Sequence, residues 1–165
     1  MPILDANTFE FFSRSPEQTR RLGMRLGALL QPGDVVCLQG NLGAGKTTLV
    51  QGMAQGWGAL DAVSSPTFVL VNVYRRPGTG QFFHFDAYRI DTLAEAEELD
   101  LDEYLAHGPL VVEWPERVEP VLPAGRLWAW LEYESEEHRI MRFQAQGRRY
   151  EMLLDGLQQT VYGVV

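Results

Sequence analysis

The stretch Gly40-Asn-Leu-Gly-Ala-Gly-Lys-Thr-Thr48 follows the apolar run Asp34-Val-Val-Cys-Leu-Gln39 and precedes a helical pattern. It contains the G-x-x-x-x-G-K-[ST] pattern, whose fixed positions are Gly40, Gly45, Lys46 and Thr47. Glycines at this spacing let successive backbone N–H groups converge on a phosphate, and the amino end of the following helix faces the same anion. The pattern therefore predicts a strand, a phosphate-binding loop and a helix that begins near Lys46.

Two side chains of this stretch carry the expected chemistry. Lys46 is expected to place its ammonium on the β- and γ-phosphates of a nucleotide, and Thr47 its hydroxyl on Mg²⁺. Lys46 is also the only lysine of the chain, and every other basic residue is arginine. This usage indicates that an ammonium is needed here and that a guanidinium does not replace it. The alternative is a glycine-rich turn with an incidental lysine.

Length and composition fit one compact domain over residues 1–165. The hydrophobic content is 45% and the net charge is −8. An extended nucleic-acid surface needs clustered Lys and Arg, so any contact with RNA is expected to be indirect. The single Cys37 excludes an intrachain disulfide, and with three scattered histidines no Cys/His metal cluster is expected. Without a secretion signal or an apolar run of about 18 residues, we expect a cytoplasmic protein with no membrane contact.

The pattern along the chain predicts an α/β protein. The predicted strands cover residues 8–12, 34–39, 68–74, 81–85, 110–114, 126–133 and 139–143. The predicted helices run from Pro16 to a stop at Gln31-Pro32-Gly33, from Thr47 to Trp57, from the Thr92 capping box to Leu105, and from Arg148 to Gln158. Two hairpins, 68–85 and 126–143, pair antiparallel. We expect a P-loop NTPase fold, a three-layer sandwich whose mixed sheet has parallel core strands and antiparallel hairpins.

A phosphate loop needs carboxylates to complete a nucleotide-hydrolysing site, because Mg²⁺ must be held and the attacking water oriented. In open α/β sheets such groups lie at the carboxyl ends of strands. Asp86 ends one predicted strand and Glu113 another, so both are candidates for the metal and for catalysis. The alternative for each is a surface acid that caps a turn. Asp34 stands at the entry of its strand and is left out.

Weaker candidates follow from their position in the sequence. His84 alternates with the aromatic residues of its strand and is predicted to be structural. Trp114 stacks on a nucleotide or a partner, or packs in the core. Thr67 is either a switch-type threonine that senses Mg²⁺ or the start of a strand. No spacing identifies one of the arginines, Arg89 and Arg139 included, as an arginine finger.

Several classes of phosphate-loop protein are disfavoured. GTPases that read guanine normally use an Asn/Thr-Lys-x-Asp element, which a chain whose only lysine lies in the phosphate loop does not contain. Adenine is therefore favoured. The chain is short for an AAA module and lacks the Leu-Ser-Gly-Gly signature of transporter ATPases. A small-molecule kinase and a nucleotide-gated assembly module stay open.

Four motifs give a more specific identification. They are Gly40-Asn-Leu-Gly-Ala-Gly-Lys-Thr-Thr48, Ser65-Pro-Thr-Phe68, His84-Phe-Asp-Ala-Tyr-Arg89 and Glu113-Trp-Pro-Glu116. In order and spacing they resemble the bacterial TsaE (YjeE) family. The resemblance implies a P-loop ATPase that binds ATP and ADP with Mg²⁺ and works with a TsaD–TsaB complex in the threonylcarbamoyladenosine modification of tRNA. It also implies that hydrolysis supports turnover of that complex and does not itself transfer the group.

The resemblance assigns roles residue by residue. The family's nucleotide loop corresponds to Gly40, Asn41, Leu42, Gly43, Ala44, Gly45, Lys46, Thr47 and Thr48. Its metal threonine corresponds to Thr47, its conserved Asp to Asp86 and its metal-proximal Glu to Glu113. Relatives commonly have Asp where this chain has Asn41, and we expect little effect on nucleotide binding. An arginine near the last hairpin also binds nucleotide in the family, and Arg139 is the candidate, with His138 and Arg142 as neighbouring alternatives.

Overall fold

The computed structural model of the chain describes residues 7–41, 43–60, 71–78 and 80–163. Within these ranges, no helix combines the length and the apolar character that crossing a lipid bilayer requires. The predicted motif Ser65-Pro-Thr-Phe68, with Thr67, lies outside the described residues, and so does Leu42.

Seven strands of the described residues form one sheet. They are β1 (Thr8–Ser13), β2 (Val35–Gln39), β3 (Val71–Arg75), β4 (Gln81–Asp86), β5 (Leu110–Glu113), β6 (Arg126–Tyr133) and β7 (Arg139–Gln146). Their spatial order is β1-β7-β6-β2-β5-β4-β3. β6, β2, β5 and β4 are mutually parallel, while β3, β7 and β1 pair antiparallel with their neighbours. The predicted mixed sheet with two antiparallel hairpins is confirmed.

Helices cover both faces of the sheet. They are α1 (Pro16–Gly27), α2 (Lys46–Trp57), α3 (Leu93–Glu97), α4 (Leu101–Leu105) and α5 (Arg148–Tyr162). The apolar sides of α1, α2 and α5 form a core with one face, whereas α3 and α4 pack on the other. Successive strand residues serve opposite faces, so that Val36 and Leu38 lie in the first core and Val35 and Cys37 in the second. The predicted three-layer α/β sandwich is confirmed.

Cys37 packs in the second core as a small apolar residue. Its side chain is fully buried, and burial raises the pKa of its thiol to about 12. A protonated, inaccessible thiol is a poor nucleophile. The place of Cys37 in an apolar strand predicts such a small buried hydrophobic residue.

Glycines bring α1 and α2 unusually close together. A Cβ added to Gly23 would lie 2.4 Å from the Leu49 carbonyl oxygen, and one added to Gly52 would lie 2.1 Å from the Arg20 carbonyl oxygen. Gly27 of α1 would meet the α2 backbone in the same way. Only the absence of side chains permits this approach. The contact fixes α2, the helix that follows the phosphate loop, against α1.

The largest difference from the predicted elements is in the acidic segment. The sequence predicts one helix from Thr92 to Leu105, but the chain forms α3 and α4 with a break between them. Ala96 and Leu101 are both buried in the second core, and in one continuous helix they would lie about 140° apart. Carboxylates three and four residues apart would also repel one another. The break relieves both conflicts.

Element ends differ by smaller amounts. Thr92 caps α3 as predicted, and its hydroxyl accepts a hydrogen bond from the Glu95 N–H. α1 ends at Gly27, before the predicted stop, while α5 continues to Tyr162.

Candidate nucleotide site

The phosphate loop has the backbone that an anion site requires. Gly43 and Gly45 have φ angles of +82° and +101°, which side-chain-bearing residues rarely adopt. Gly45 is the residue before α2, and no side chain caps this end of the helix. The first N–H groups of α2 therefore stay available to a ligand, and the helix dipole favours an anion there. Thr47 and Thr48 lie half-buried in the first turn of α2.

Lys46 lies at the start of α2 with its side chain folded over the loop. Its Nζ donates a hydrogen bond to the Gly40 carbonyl oxygen at 2.5 Å and lies 4.4 Å from the centre of the Trp114 ring. Burial lowers the pKa of Lys46, while the nearby carboxylates of Glu113, Asp86 and Glu116 oppose this shift. An anion bound beside the ammonium would stabilise its charged form.

Asp86 and Glu113 lie next to each other at the carboxyl ends of their strands, on the side of the sheet where the phosphate loop follows β2. They end β4 and β5, which are parallel neighbours, and they are paired directly in the register. Glu113 is 5% exposed and Asp86 is half-buried. Burial raises the pKa of Asp86, the Tyr88 N–H opposes the rise, and the Glu113 charge adds to it. Two adjacent carboxylates and a buried ammonium form a site suited to a cation and a phosphate together.

His84 is closer to the site than the sequence analysis expects. It is fully buried, and its Nε2 lies 2.5 Å from Glu113 Oε2. The sequence does indicate that His84 lies on the same face of the sheet as Asp86, because residues i and i+2 of a strand share a face. The contact with Glu113 itself depends on the register of β4 against β5.

Trp114 has an unusual backbone. Among the described residues it is the one non-glycine with a positive φ, +57°. Such strain concentrates at functional sites. The turn carries the chain away from Glu113 and leaves the half-buried Trp114 ring beside the Lys46 ammonium. The sequence left open whether Trp114 stacks on a nucleotide or a partner or packs in the core, and this half-buried position matches neither a free surface nor the deep core.

Arg139 lies against the phosphate loop. It starts β7, which runs antiparallel to β6 and therefore begins at the edge where β2 ends. Its Nε donates to the Gly43 carbonyl oxygen at 3.0 Å, and its guanidinium lies 4.7 Å from the centre of the Tyr133 ring.

The two neighbouring alternatives make other contacts. Arg142 pairs with Glu10 at 3.4 Å, and the ring of His138 packs against Phe12. Asp34 was not a candidate site residue, because it stands at the start of its strand. Its carboxylate accepts hydrogen bonds from Arg149, at 2.8 Å, and from the Gln31 N–H, so its role is structural.

A cavity of about 560 Å³ adjoins the loop. Its lining includes Gly40, Asn41 and Ala44 of the loop, Trp114, and Arg142, the neighbouring alternative to Arg139. Its volume lies in the range of small-molecule sites, roughly 300–1,000 Å³.

Comparison with known proteins identifies relatives over most of the chain. The family model "Threonylcarbamoyl adenosine biosynthesis protein TsaE" matches residues 13–142. A relative from Bacillus subtilis strain 168, a "tRNA threonylcarbamoyladenosine biosynthesis protein TsaE", is 40% identical over 146 residues, or 88% of this chain and 90% of its own. The Streptomyces coelicolor protein of the same name is 49% identical over 110 residues, 66% of this chain and 74% of its own.

A solved structure agrees in fold. The crystal structure of YdiB from Bacillus matches with a TM-score of 0.78 and 34% identity, over 93% of this chain and 96% of that one. Together with the phosphate loop at the start of α2, these matches show that the chain has the P-loop α/β fold and belongs to the TsaE family of tRNA threonylcarbamoyladenosine biosynthesis proteins.

Proposed function

We propose that this chain is a Mg²⁺-dependent ATPase that acts on a TsaD–TsaB complex during the threonylcarbamoyladenosine modification of tRNA. It acts in the cytoplasm as one P-loop ATPase domain over residues 1–165, meets tRNA through the complex, and does not transfer the threonylcarbamoyl group. One observation carries the proposal. The lone ammonium, the open end of α2 and the paired carboxylates Asp86 and Glu113 lie at one edge of the sheet.

The loop residues hold the triphosphate of ATP. The N–H groups of Gly43 and of residues 45–48 face its oxygens, while the Ala44 N–H donates to the Asn41 carbonyl oxygen within the loop. The Lys46 ammonium exchanges the Gly40 carbonyl for the β- and γ-phosphates. Arg139, held on the Gly43 carbonyl, adds positive charge beside the loop. ADP binds through the same groups.

The donor set suits Mg²⁺. This ion takes hard oxygen ligands, commonly one or two carboxylates with the nucleotide phosphates and water. Thr47, Asp86 and Glu113 would hold it, and it would neutralise charge that develops on the phosphate oxygens. In the described ranges no group of three or more His, Cys, Asp and Glu could hold a metal, which fits an ion that needs the nucleotide as a ligand.

Glu113 is the proposed catalytic carboxylate. It is buried, and a buried carboxylate beside the loop can orient a water molecule and accept its proton. Asp86, half-buried and held by the Tyr88 N–H, supports the metal. Such a small catalytic set predicts weak activity for the chain alone, since a partner can complete a P-loop site in trans.

The test is an ATPase assay with and without a purified TsaD–TsaB complex, with GTP as the comparison. We expect slow ATP hydrolysis that the complex accelerates, and little GTP hydrolysis. Glu113→Ala and the isosteric Glu113→Gln should bind ATP normally and lose about 10²- to 10⁴-fold in rate. Wild-type turnover in both variants contradicts the role of Glu113. Phosphoryl transfer to a metabolite, with none to water, would indicate a kinase.

A further inference from the structure

His84 and Glu113 form a buried diagonal pair between two parallel strands. In the register of β4 and β5, His84 is opposite Val111 and Asp86 is opposite Glu113. The His84 and Glu113 side chains point to the same sheet face, where Phe82 and Val111 join the core with α2. The imidazole thus reaches across to a carboxylate one step further along the neighbouring strand.

The direction of the hydrogen bond follows from its chemistry. An ionised carboxylate only accepts, so the His84 Nε2 carries the proton and donates it to Glu113 Oε2 at 2.5 Å. The His84 Nδ1 is buried and has no hydrogen-bond partner within the described part of the chain. A lone pair in that position is less costly than an unpaired N–H, which favours Nε2 as the nitrogen that carries the donated hydrogen. The Tyr74 ring, 6.3 Å away between centroids, packs beside the imidazole.

The hydrogen bond between His84 and Glu113 keeps the negative charge of Glu113 apart from the positive charge of Lys46. Glu113 attracts the Lys46 ammonium, and this attraction favours the charged lysine and raises its pKa against the larger effect of burial. Yet Lys46 donates to the Gly40 carbonyl, while Glu113 accepts from His84. With one oxygen fixed by His84, the remaining lone pairs of Glu113 keep a defined direction, and the ammonium stays over the loop.

We propose that His84 is a positioning residue for ATP hydrolysis. It holds the Glu113 carboxylate in the orientation that the water-activating step requires and keeps it from pairing with Lys46. This inference rests on the proposed function. It predicts that removing the His84 donor lowers kcat and leaves nucleotide affinity nearly unchanged, because the phosphate contacts come from other residues.

Three variants separate positioning from folding. His84→Leu removes the donor, and His84→Gln keeps an amide N–H within reach of Glu113. Phe82→Leu is the matched control, since Phe82 is fully buried on the same strand and face and has no polar group. The measurements are kcat, the Kd of a non-hydrolysable ATP analogue, urea unfolding, and the ¹H–¹⁵N spectrum of the imidazole rings.

We expect His84→Leu to lose about 10- to 100-fold in kcat, the usual size for a residue that orients an active-site ligand, with an unchanged Kd. His84→Gln should recover most of the rate. Phe82→Leu should lose stability and keep its kcat. In the wild-type spectrum, a downfield Nε2 proton should disappear in His84→Leu and move upfield in Glu113→Gln, whose neutral amide is a weaker acceptor.

Two results would overturn the inference. One is wild-type kcat in His84→Leu, and the other is a loss of kcat in Phe82→Leu as large as in His84→Leu at equal stability. A third contrary result is an imidazole Nε2 proton whose chemical shift stays the same in Glu113→Gln. If the wild-type protein hydrolyses no ATP even with the TsaD–TsaB complex, the proposed function itself fails, a result distinct from an active wild type with indifferent His84 variants.

Discussion

Glycines serve opposite purposes in two neighbouring regions of this protein. In the phosphate loop, Gly43 and Gly45 adopt positive φ angles, and a Cβ added there would meet nothing at Gly43 and only the Arg139 side chain, at 3.6 Å, at Gly45. These two glycines are therefore needed for their backbone conformation. In the α1–α2 contact, Gly23, Gly27 and Gly52 have ordinary helical angles, and their value lies in the space that a Cβ would fill.

The two regions depend on each other. Loop N–H groups can converge on a phosphate only if α2 is held at a fixed place behind the loop, and the close contact with α1 holds it there. The glycines of the loop therefore allow its phosphate-binding backbone conformation, and those of the α1–α2 contact allow the close packing that holds α2 rigidly in place. An added methyl group should lower stability in both regions, and should weaken ligand binding only in the loop.

The largest expected effect is on stability, from Gly23→Ala. The new Cβ would lie 2.4 Å from the Leu49 carbonyl oxygen, a backbone atom, so α1 and α2 must move apart. We expect a loss of about 1–3 kcal/mol in the free energy of unfolding, measured with urea. Gly156→Ala in α5 is the matched control, because its Cβ would meet only the Leu29 side chain, at 3.4 Å. It should be neutral or gain up to about 1 kcal/mol. Equal stabilities for the two variants would contradict the close contact.

A second pair of variants tests the loop. Gly45→Ala and Gly33→Ala both place a side chain at a positive φ, +101° and +91°, with no backbone atom in the way. Each should cost about 1–2 kcal/mol of stability through backbone strain, less than the clash with backbone that Gly23→Ala creates. Only Gly45→Ala should also weaken ATP binding in calorimetry, since Gly33 lies in a turn before β2 and away from the loop. Equal ATP affinity in both variants would show that the conformation of Gly45 is not needed for the ligand.

The smallest effect concerns the charge of Asp86. Its pKa is raised in the folded protein, mainly by burial, so the folded state binds the proton more tightly than the unfolded one. Stability should therefore fall as the pH rises from the ordinary value of 3.8 through the folded-state pKa. Asp86→Asn, which keeps an acceptor for the Tyr88 N–H, should be slightly more stable than wild type at neutral pH. The difference should vanish below the ordinary pKa, and a difference that stays constant with pH would rule out this cause.

Local patterns predicted much of this molecule. The phosphate loop, the strand before it and the hairpins follow from spacing and turn residues, and the rule that acids lie at strand ends led to Asp86 and Glu113. Arg139 came from the family resemblance, and the order of β6 and β7 explains its place beside the loop.

Features that depend on long-range packing were not predictable. The contact between His84 and Glu113 needs the register of two strands far apart in sequence, which local periodicity does not contain. The break between α3 and α4 depends on where the second core lies, because Ala96 and Leu101 must both reach it. The strained turn at Trp114 likewise follows from its neighbours, since neither tryptophan nor a residue before proline favours that conformation.

Calorimetric titration of wild type and Lys46→Ala with ATP and with GTP, in the presence of Mg²⁺, tests the central claim most directly. The account predicts clear heat of binding for ATP and little for GTP with the wild type, and no binding to Lys46→Ala at unchanged stability. Equal ATP affinity in the two proteins, or no heat with the wild type, would contradict it.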